Sequence, residues 1–236
     1  MTLLLTLVAC ATHAPAEPPP QAPAEHHAPG DHAPEHHGDH ATVTHGFEDV
    51  ERWSAVFDDP ARDAWQKPAE LVAALDLPAG AVVADIGAGT GYFNAHLARA
   101  VGPEGKVIAV DIEPGLVAHM AARAEAEETP QVEARLGQPD DPALQPGEVD
   151  LVLLVDTYHH IDGRVDYFTR LRDDVRDGGR LVVVDFKPGE LPVGPPPEHR
   201  LAPETVQAEL EQAGWQLSSA PELLPYQFVH IYGVGR

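Results

Sequence analysis

The sequence predicts an α/β domain built on a doubly wound, mostly parallel sheet. Three observations carry that expectation. Apolar segments of strand length alternate with amphipathic segments of helix length from residue 81 onward. A glycine-rich turn follows the first of those strands and opens onto a helix. The next strand ends in a carboxylate, Asp111, 20 residues after Gly91. Strands that are apolar throughout, separated by helices, belong in a sheet covered on both faces.

The elements follow in order. A helix is expected over 50–57 and another over 68–75, the latter with Pro68 in its first turn, where a missing N–H costs nothing. Strands are expected over 81–86, 106–111, 131–136, 150–155 and 179–186. Helices are expected between them over 91–101, 114–127 and 164–176. A last helix over 203–213 precedes two segments, 215–220 and 226–234, that read as an antiparallel pair. No internal repeat is visible.

Composition divides the chain before this domain begins. Residues 1–10 form a short apolar run ending at Cys10, the only cysteine. Leu7-Val8-Ala9-Cys10 resembles a bacterial lipobox, in which the cysteine becomes the acylated N-terminus; no Lys or Arg precedes it. Lipidated Cys10 would then hold the protein at the membrane of the cell envelope, on its exported side. The alternative is a chance apolar start, which would leave the protein in the cytoplasm. Residues 11–46 hold seven prolines, eight of the 14 histidines, five acids and no Lys or Arg. With no apolar periodicity, they read as a disordered linker. The pairs His26-His27 and His36-His37 among acids are open to divalent metal, but a plain polar spacer explains them as well. Residues 47–236 read as the folded domain.

The formal net charge is −23, from 38 acids against 15 bases. A chain this acidic lacks the basic footprint that neutralises phosphates, so nucleic acid is excluded as an expected partner. One cysteine excludes a disulfide framework and any multi-cysteine metal centre. No apolar run approaches the roughly 20 residues of a spanning helix.

The strongest motif is Val82-Val83-Ala84-Asp85-Ile86-Gly87-Ala88-Gly89-Thr90-Gly91. Gly87 permits the sharp turn, Gly89 lets a ligand meet the backbone, and Gly91 lets the helix pack close to the strand. The third glycine comes two residues after the second, unlike the dinucleotide fingerprint. Asp85 would repel a pyrophosphate and attract a cation. The Walker pattern is absent. Asp111 stands where a carboxylate accepts the hydroxyls of a ribose; capping the helix near Pro114 is its alternative.

On these residues the sequence resembles the class I S-adenosylmethionine-dependent methyltransferases. It is most similar to the small-molecule group that includes the quinone-biosynthesis C-methyltransferases. Asp85 through Phe93 matches the first family motif, and the Asp111 strand the next. Leu171-Arg172-Asp173 onward, with Gly178-Gly179 ahead of the strand to Asp185, resembles the late one. The resemblance implies a Rossmann-like seven-stranded sheet in the order 3-2-1-4-5-7-6, strand seven antiparallel, with an N-terminal helical lid. It implies S-adenosyl-L-methionine as cofactor and a small-molecule methyl acceptor. Cofactor contacts fall on Asp85, Gly87, Ala88, Gly89, Thr90 and Gly91 in the loop. Tyr92 falls near the methionine portion, and Asp111 and Ile112 at the end of strand two. Gln138 stands where the family usually has an acid on the adenine amine; Asp140 or Asp141 is an alternative.

The fourth strand ends in Asp156-Thr157-Tyr158-His159-His160, beside the expected methyl group. His159 or His160 is a candidate general base near neutral pH. Asp156 would orient one of them or contact the cofactor, and Tyr158 would shape the acceptor space. Packing beneath the cofactor is the alternative for the histidines. A metal site here has no convincing third ligand, and none is expected. Arg62 is a candidate carboxylate clamp or a surface partner of Asp59 or Asp63. Trp65 belongs to the same lid, and His199 and Arg200 sit in a proline-rich loop able to reach over the site. A non-catalytic exported module that binds a nucleoside-like ligand, with the His-rich tether buffering metal, is the second function compatible with these features.

Overall fold

The computed structural model describes residues 49–235. The lipobox, Cys10 and the histidine clusters of 11–46 lie outside the described residues. Seven strands form one sheet: β1 (Val82–Ile86), β2 (Lys106–Asp111), β3 (Val132–Leu136), β4 (Val149–Val155), β5 (Val175–Phe186), β6 (Trp215–Ser219) and β7 (Gln227–Val234). Their order is 3-2-1-4-5-7-6. β7 runs antiparallel to β5 and β6, while the other pairs are parallel. The expected fold, including the terminal antiparallel pair, is the observed one. The order in which the strands are laid down reverses between β1 and β4, which are themselves parallel. Ligands in such sheets bind beyond the carboxyl ends of the strands at that reversal.

Among the described residues seven α-helices accompany the strands: α1 (Val50–Phe57), α2 (Asp63–Gln66), α3 (Pro68–Ala74), α4 (Asn94–Val101), α5 (Pro114–Ala126), α6 (Arg164–Leu171) and α7 (Pro203–Gln212). Alternation along the central strands divides the core in two. Val83 and Val182 face Leu71 and Leu97 of α3 and α4. Ala84 and Val183 face Phe168 and Leu210 of α6 and α7. Each buried aliphatic side chain contributes about 1.5–3 kcal/mol relative to exposure.

Three boundaries differ from expectation, each for a local reason. The helix expected from residue 91 begins at Asn94, because Gly87, Gly89 and Gly91 all take positive φ and hold the chain in turns. The helix expected to residue 176 ends at Leu171. A 3₁₀ turn, Arg172–Asp174, follows, and apolar Val175 pairs with Val149 as the first residue of β5. Gly178 has φ +79°, and the ladder resumes only at Arg180 opposite Leu151. Between α1 and α3 the chain is also helical: the Asp59 carboxylate accepts the Ala61 N–H at 2.9 Å, Pro60 opens a 3₁₀ turn, and α2 follows. That Asp-Pro cap was readable in the sequence. Among the described residues no helix is long and apolar enough to cross a membrane.

Candidate functional site

The glycine loop leaves β1 at the reversal point. The Gly87 and Ala88 amides both donate to the Val110 carbonyl, at 2.9 and 3.0 Å, and Gly91 donates to Ala88. The Gly89 amide donates to Asp111 Oδ2 at 2.8 Å. Gly87 has φ +73°, and a Cβ there would stand 2.4 Å from the Thr157 side chain; Gly91 is similarly closed off by Asn94. The loop is thus held between β2 and the end of β4. Four of its amides are spent on protein acceptors, so they do not form the nest of free donors that cradles a phosphate.

The acids around the loop reinforce that discrimination. Asp85 is buried and its carboxyl is pushed up to about 7, by burial first and by Asp111 second, with Arg62 opposing. Burial also raises Asp111, against the pull of the amides of Glu113, Gly89 and Ile112. Asp111 Oδ1 accepts the Glu113 amide at 3.0 Å. Each Asp111 oxygen retains a second acceptor position, so the carboxylate can organise the loop and still receive ribose hydroxyls. This donor and acceptor set fits a cation-bearing nucleoside and disfavours an anionic one.

Beyond Asp111, Ile112 and Leu136 are two of the few exposed large apolar residues, at 49% and 43%. Leu136 pairs in register with Asp111, so both stand at the carboxyl ends of adjacent strands. They offer apolar surface suited to a flat base. Leu136 was not expected; the signal that would have found it is an apolar residue at the solvent end of a strand. Gln138 is exposed on the turn after β3. Its backbone exchanges two hydrogen bonds with Asp141, of 2.7 and 3.1 Å.

The end of β4 separates its polar residues. Asp156 adopts a left-handed backbone, φ +55°, with its amide bonded to the Val184 carbonyl. Its carboxylate accepts from Gln227 Nε2 at 2.6 Å and lies 3.7 Å from Arg62. Burial pushes that carboxyl up to about 7; Arg62 lowers it and Asp185 raises it. His159 is 2% exposed, its Nδ1 2.9 Å from Asp185 Oδ2. Burial would depress the imidazole, but Asp185 and then Asp156 outweigh it and hold the pKa above its ordinary value. The half-buried His160 ring lies against His159, tilted by 40° with centroids 4.2 Å apart. A buried His159 braced by Asp185 can hold charge and orient His160; His160 is the more accessible of the two. Tyr158, expected to shape the acceptor space, lies instead in the core. It is fully buried, stacks on Phe168 and donates to Glu209 at 2.7 Å. β4 ends at Val155, and the left-handed Asp156 and the 3₁₀ turn that starts at Tyr158 carry the tyrosine ring to the α6–α7 side. Among the described residues no three or more His, Cys, Asp or Glu side chains gather as a metal site.

The segment before α3 covers the loop. Phe57 lies against Gly89. Asp58 Oδ1 accepts from Thr90 Oγ1 at 3.0 Å and from Arg123 Nη1 at 2.8 Å, so the Thr90 hydroxyl is engaged by the covering segment. The Tyr92 hydroxyl donates to Asp63. Arg62 lies over the Tyr92 ring, 4.3 Å from its centroid, and donates to the Phe57 carbonyl. Its ion-pair partner is Asp156 and not the adjacent Asp59 or Asp63. Trp65 meets Phe186 and Tyr226 at 5.8 and 6.2 Å. Arg200 is committed to its own loop, donating to the carbonyls of Pro195, Gly189 and Val193.

A doubly wound sheet with a glycine loop of spent amides, flanked by two buried acids, suits a nucleoside-like ligand that carries positive charge. Residues 83–179, from β1 into β5, match the family model described as methyltransferase domain. That match covers less than half of the chain, and the fold is one that solved methyltransferases share. A solved S-adenosylmethionine-dependent methyltransferase from Aquifex aeolicus superposes with a TM-score of 0.74 at 24% identity, over 80% of this chain and 98% of that one. The demethylmenaquinone methyltransferase of Lactococcus lactis is 25% identical over 61% of this chain and 57% of its own. An uncharacterized 37.1 kDa protein in transposon TN4556 of Streptomyces fradiae is 33% identical over 48% of this chain and 32% of its own. The chain thus spans under three fifths of the length of these two curated relatives.

Proposed function

We propose that this protein is an S-adenosylmethionine-dependent methyltransferase acting on a small-molecule acceptor, exported and held at the cell envelope through lipidated Cys10. The observation that carries the reading is the pairing of buried Asp85 and Asp111 around a loop whose amides are already bonded within the protein. In this reading Asp111 receives the ribose hydroxyls, Ile112 and Leu136 flank the base, and Asp85 and Asp156 face the positively charged end. When bound, S-adenosylmethionine supplies an electrophilic methyl group for in-line displacement. The chain's part is to position the two reactants and exclude water. The segment carrying Phe57 and Arg62 supplies the exclusion. His160, backed by the His159–Asp185 pair, takes the acceptor's proton where the acceptor must lose one. The similarity to a demethylmenaquinone methyltransferase supports a quinone-like acceptor within this reading.

The test is calorimetric titration of the full chain with S-adenosylhomocysteine and, separately, NAD. The expected outcome is binding of the first alone, weakened by about 1–3 kcal/mol in Asp111→Ala, which leaves hydroxyls unpaired. A wild-type protein that binds no S-adenosylhomocysteine rejects the reading. The non-catalytic alternative draws support from the deep burial of His159 and Tyr158. Tight cofactor binding with no methyl transfer across a broad acceptor panel would favour it.

A further inference from the structure

Four side chains close a polar ring beside the site. Arg62 Nε donates to Gln66 Oε1 at 3.2 Å. Gln66 Nε2 donates to Gln227 Oε1 at 2.7 Å, and Gln227 Nε2 donates to Asp156 Oδ1 at 2.6 Å. Arg62 Nη2 faces Asp156 Oδ2 at 3.7 Å and completes the circuit. Arg62 and Gln66 belong to the N-terminal segment; Asp156 and Gln227 belong to the sheet. Gln227 both donates and accepts, which an amide of this length does and neither a carboxylate nor an aliphatic side chain can.

The burial of the segment shows what the ring is for. Among the described residues before Lys67, Gln66 alone is fully buried, and α1 contributes no buried residue. A segment that buries so little apolar surface opens at low cost. Besides the ring contacts of Phe57 and Trp65, polar contacts hold it down: this four-residue ring, Asp58 with Thr90 and Arg123, and Asp63 with Tyr92. Lys67 takes a left-handed backbone, φ +46°, at the junction of α2 and α3. Immediately beyond, Leu71, Val72 and Leu75 are anchored in the core. Residues 50–66 are thus a flap with a hinge at Lys67, and Phe57 at the far side rests on Gly89.

We propose that Gln227 is a positioning residue that latches this flap over the glycine loop, so that ligand enters and leaves by breaking the Gln66–Gln227–Asp156 chain. It acts through Gln66 and Asp156 and touches no ligand itself. The identity of the ligand rests on the proposed function; the latch is a property of the chain alone.

The experiment uses the full-length protein, wild type, Gln227→Leu, Gln66→Leu and the double variant. Hydrogen exchange is followed at the amides of 50–66 and of β1 and β4, together with the dissociation rate of S-adenosylhomocysteine. Both single variants should exchange flap amides about tenfold faster, the scale set by one lost buried hydrogen-bond pair. Strand amides should be unchanged. Release of S-adenosylhomocysteine should accelerate by a similar factor, and the double variant should be no worse than either single, since each breaks the same chain. Should Gln227→Leu fail to fold, Gln66→Leu decides, because it lies in a short helix outside the sheet. Flap exchange at the wild-type rate in the variants overturns the latch, as does faster exchange with unaltered ligand release. A wild type that binds no S-adenosylhomocysteine sinks the cofactor reading, and the exchange measurement then decides the latch by itself.

Discussion

Asp85 carries the most direct consequence of the geometry at the scale of a residue. Its carboxyl is pushed from an ordinary 3.8 to about 7 by burial and by Asp111. A cationic ligand needs the ionised form, so below pH 7 it must displace a proton. S-adenosylmethionine affinity should therefore fall as pH drops through 7, by up to about tenfold per unit, and level off above it. Titrations across that range check this, and Asp85→Asn should bind weakly with a flattened profile; a pH-independent wild type refutes the role. The same shift has the opposite sign for the ligand-free fold. A buried carboxyl that prefers its proton contributes stability at low pH that is lost as pH rises from about 4 toward 7. Asp85 and Asp111 were legible because their position relative to three glycines is a spacing in the sequence. The partner of Arg62 was not, because Asp156 is distant in the chain and nearer acids, Asp59 and Asp63, competed for it. Tyr158 misled because the chain turns after Val155, through left-handed Asp156 into a 3₁₀ turn, and sends the tyrosine ring into the core.

At the scale of elements, α6 and α7 are tied by a buried charge. Arg164 Nε and Nη2 reach Glu209 at 2.7 and 2.9 Å, and the Tyr158 hydroxyl shares the same carboxylate. Arg164 is fully buried, so removing the Glu209 carboxylate takes away a charge that balances a desolvated cation. Glu209→Ala should cost about 3–5 kcal/mol of folding stability, read by denaturant unfolding, with S-adenosylhomocysteine affinity unchanged. An unaltered midpoint would mean that Arg164 finds another acceptor. This tie was not legible in the sequence, since Arg164 and Glu209 lie 45 residues apart on different helices. Strands β1, β2 and β4 were legible because runs such as Leu151-Val152-Leu153-Leu154 are apolar on both faces. The start of β5 was not. Residues 176–178 are polar or glycine, and only the pairing of Val175 with Val149 draws them into the sheet. Periodicity reports burial; it does not report a bulge that one apolar anchor sets up.

At the scale of the whole molecule, charge works against the proposed membrane attachment. The net charge of −23 repels the anionic lipid of a membrane surface, so electrostatics gives the protein no reason to stay there. In the proposed reading attachment comes from acyl chains on Cys10, and a single chain alone would hold it only marginally. The acidic body predicts how that attachment behaves. Raising salt should not release the wild type from membranes, because screening weakens repulsion and leaves the apolar anchor intact. Detergent should release it. Cys10→Ser should move the protein to the soluble fraction at every salt concentration, with the affinity for S-adenosylhomocysteine retained, because the loop and its acids lie far along the chain from residue 10. Fractionation of cells expressing both forms measures this directly. A Cys10→Ser protein that stays with the membrane rejects the lipobox reading and requires some other contact strong enough to overcome the repulsion of an acidic domain.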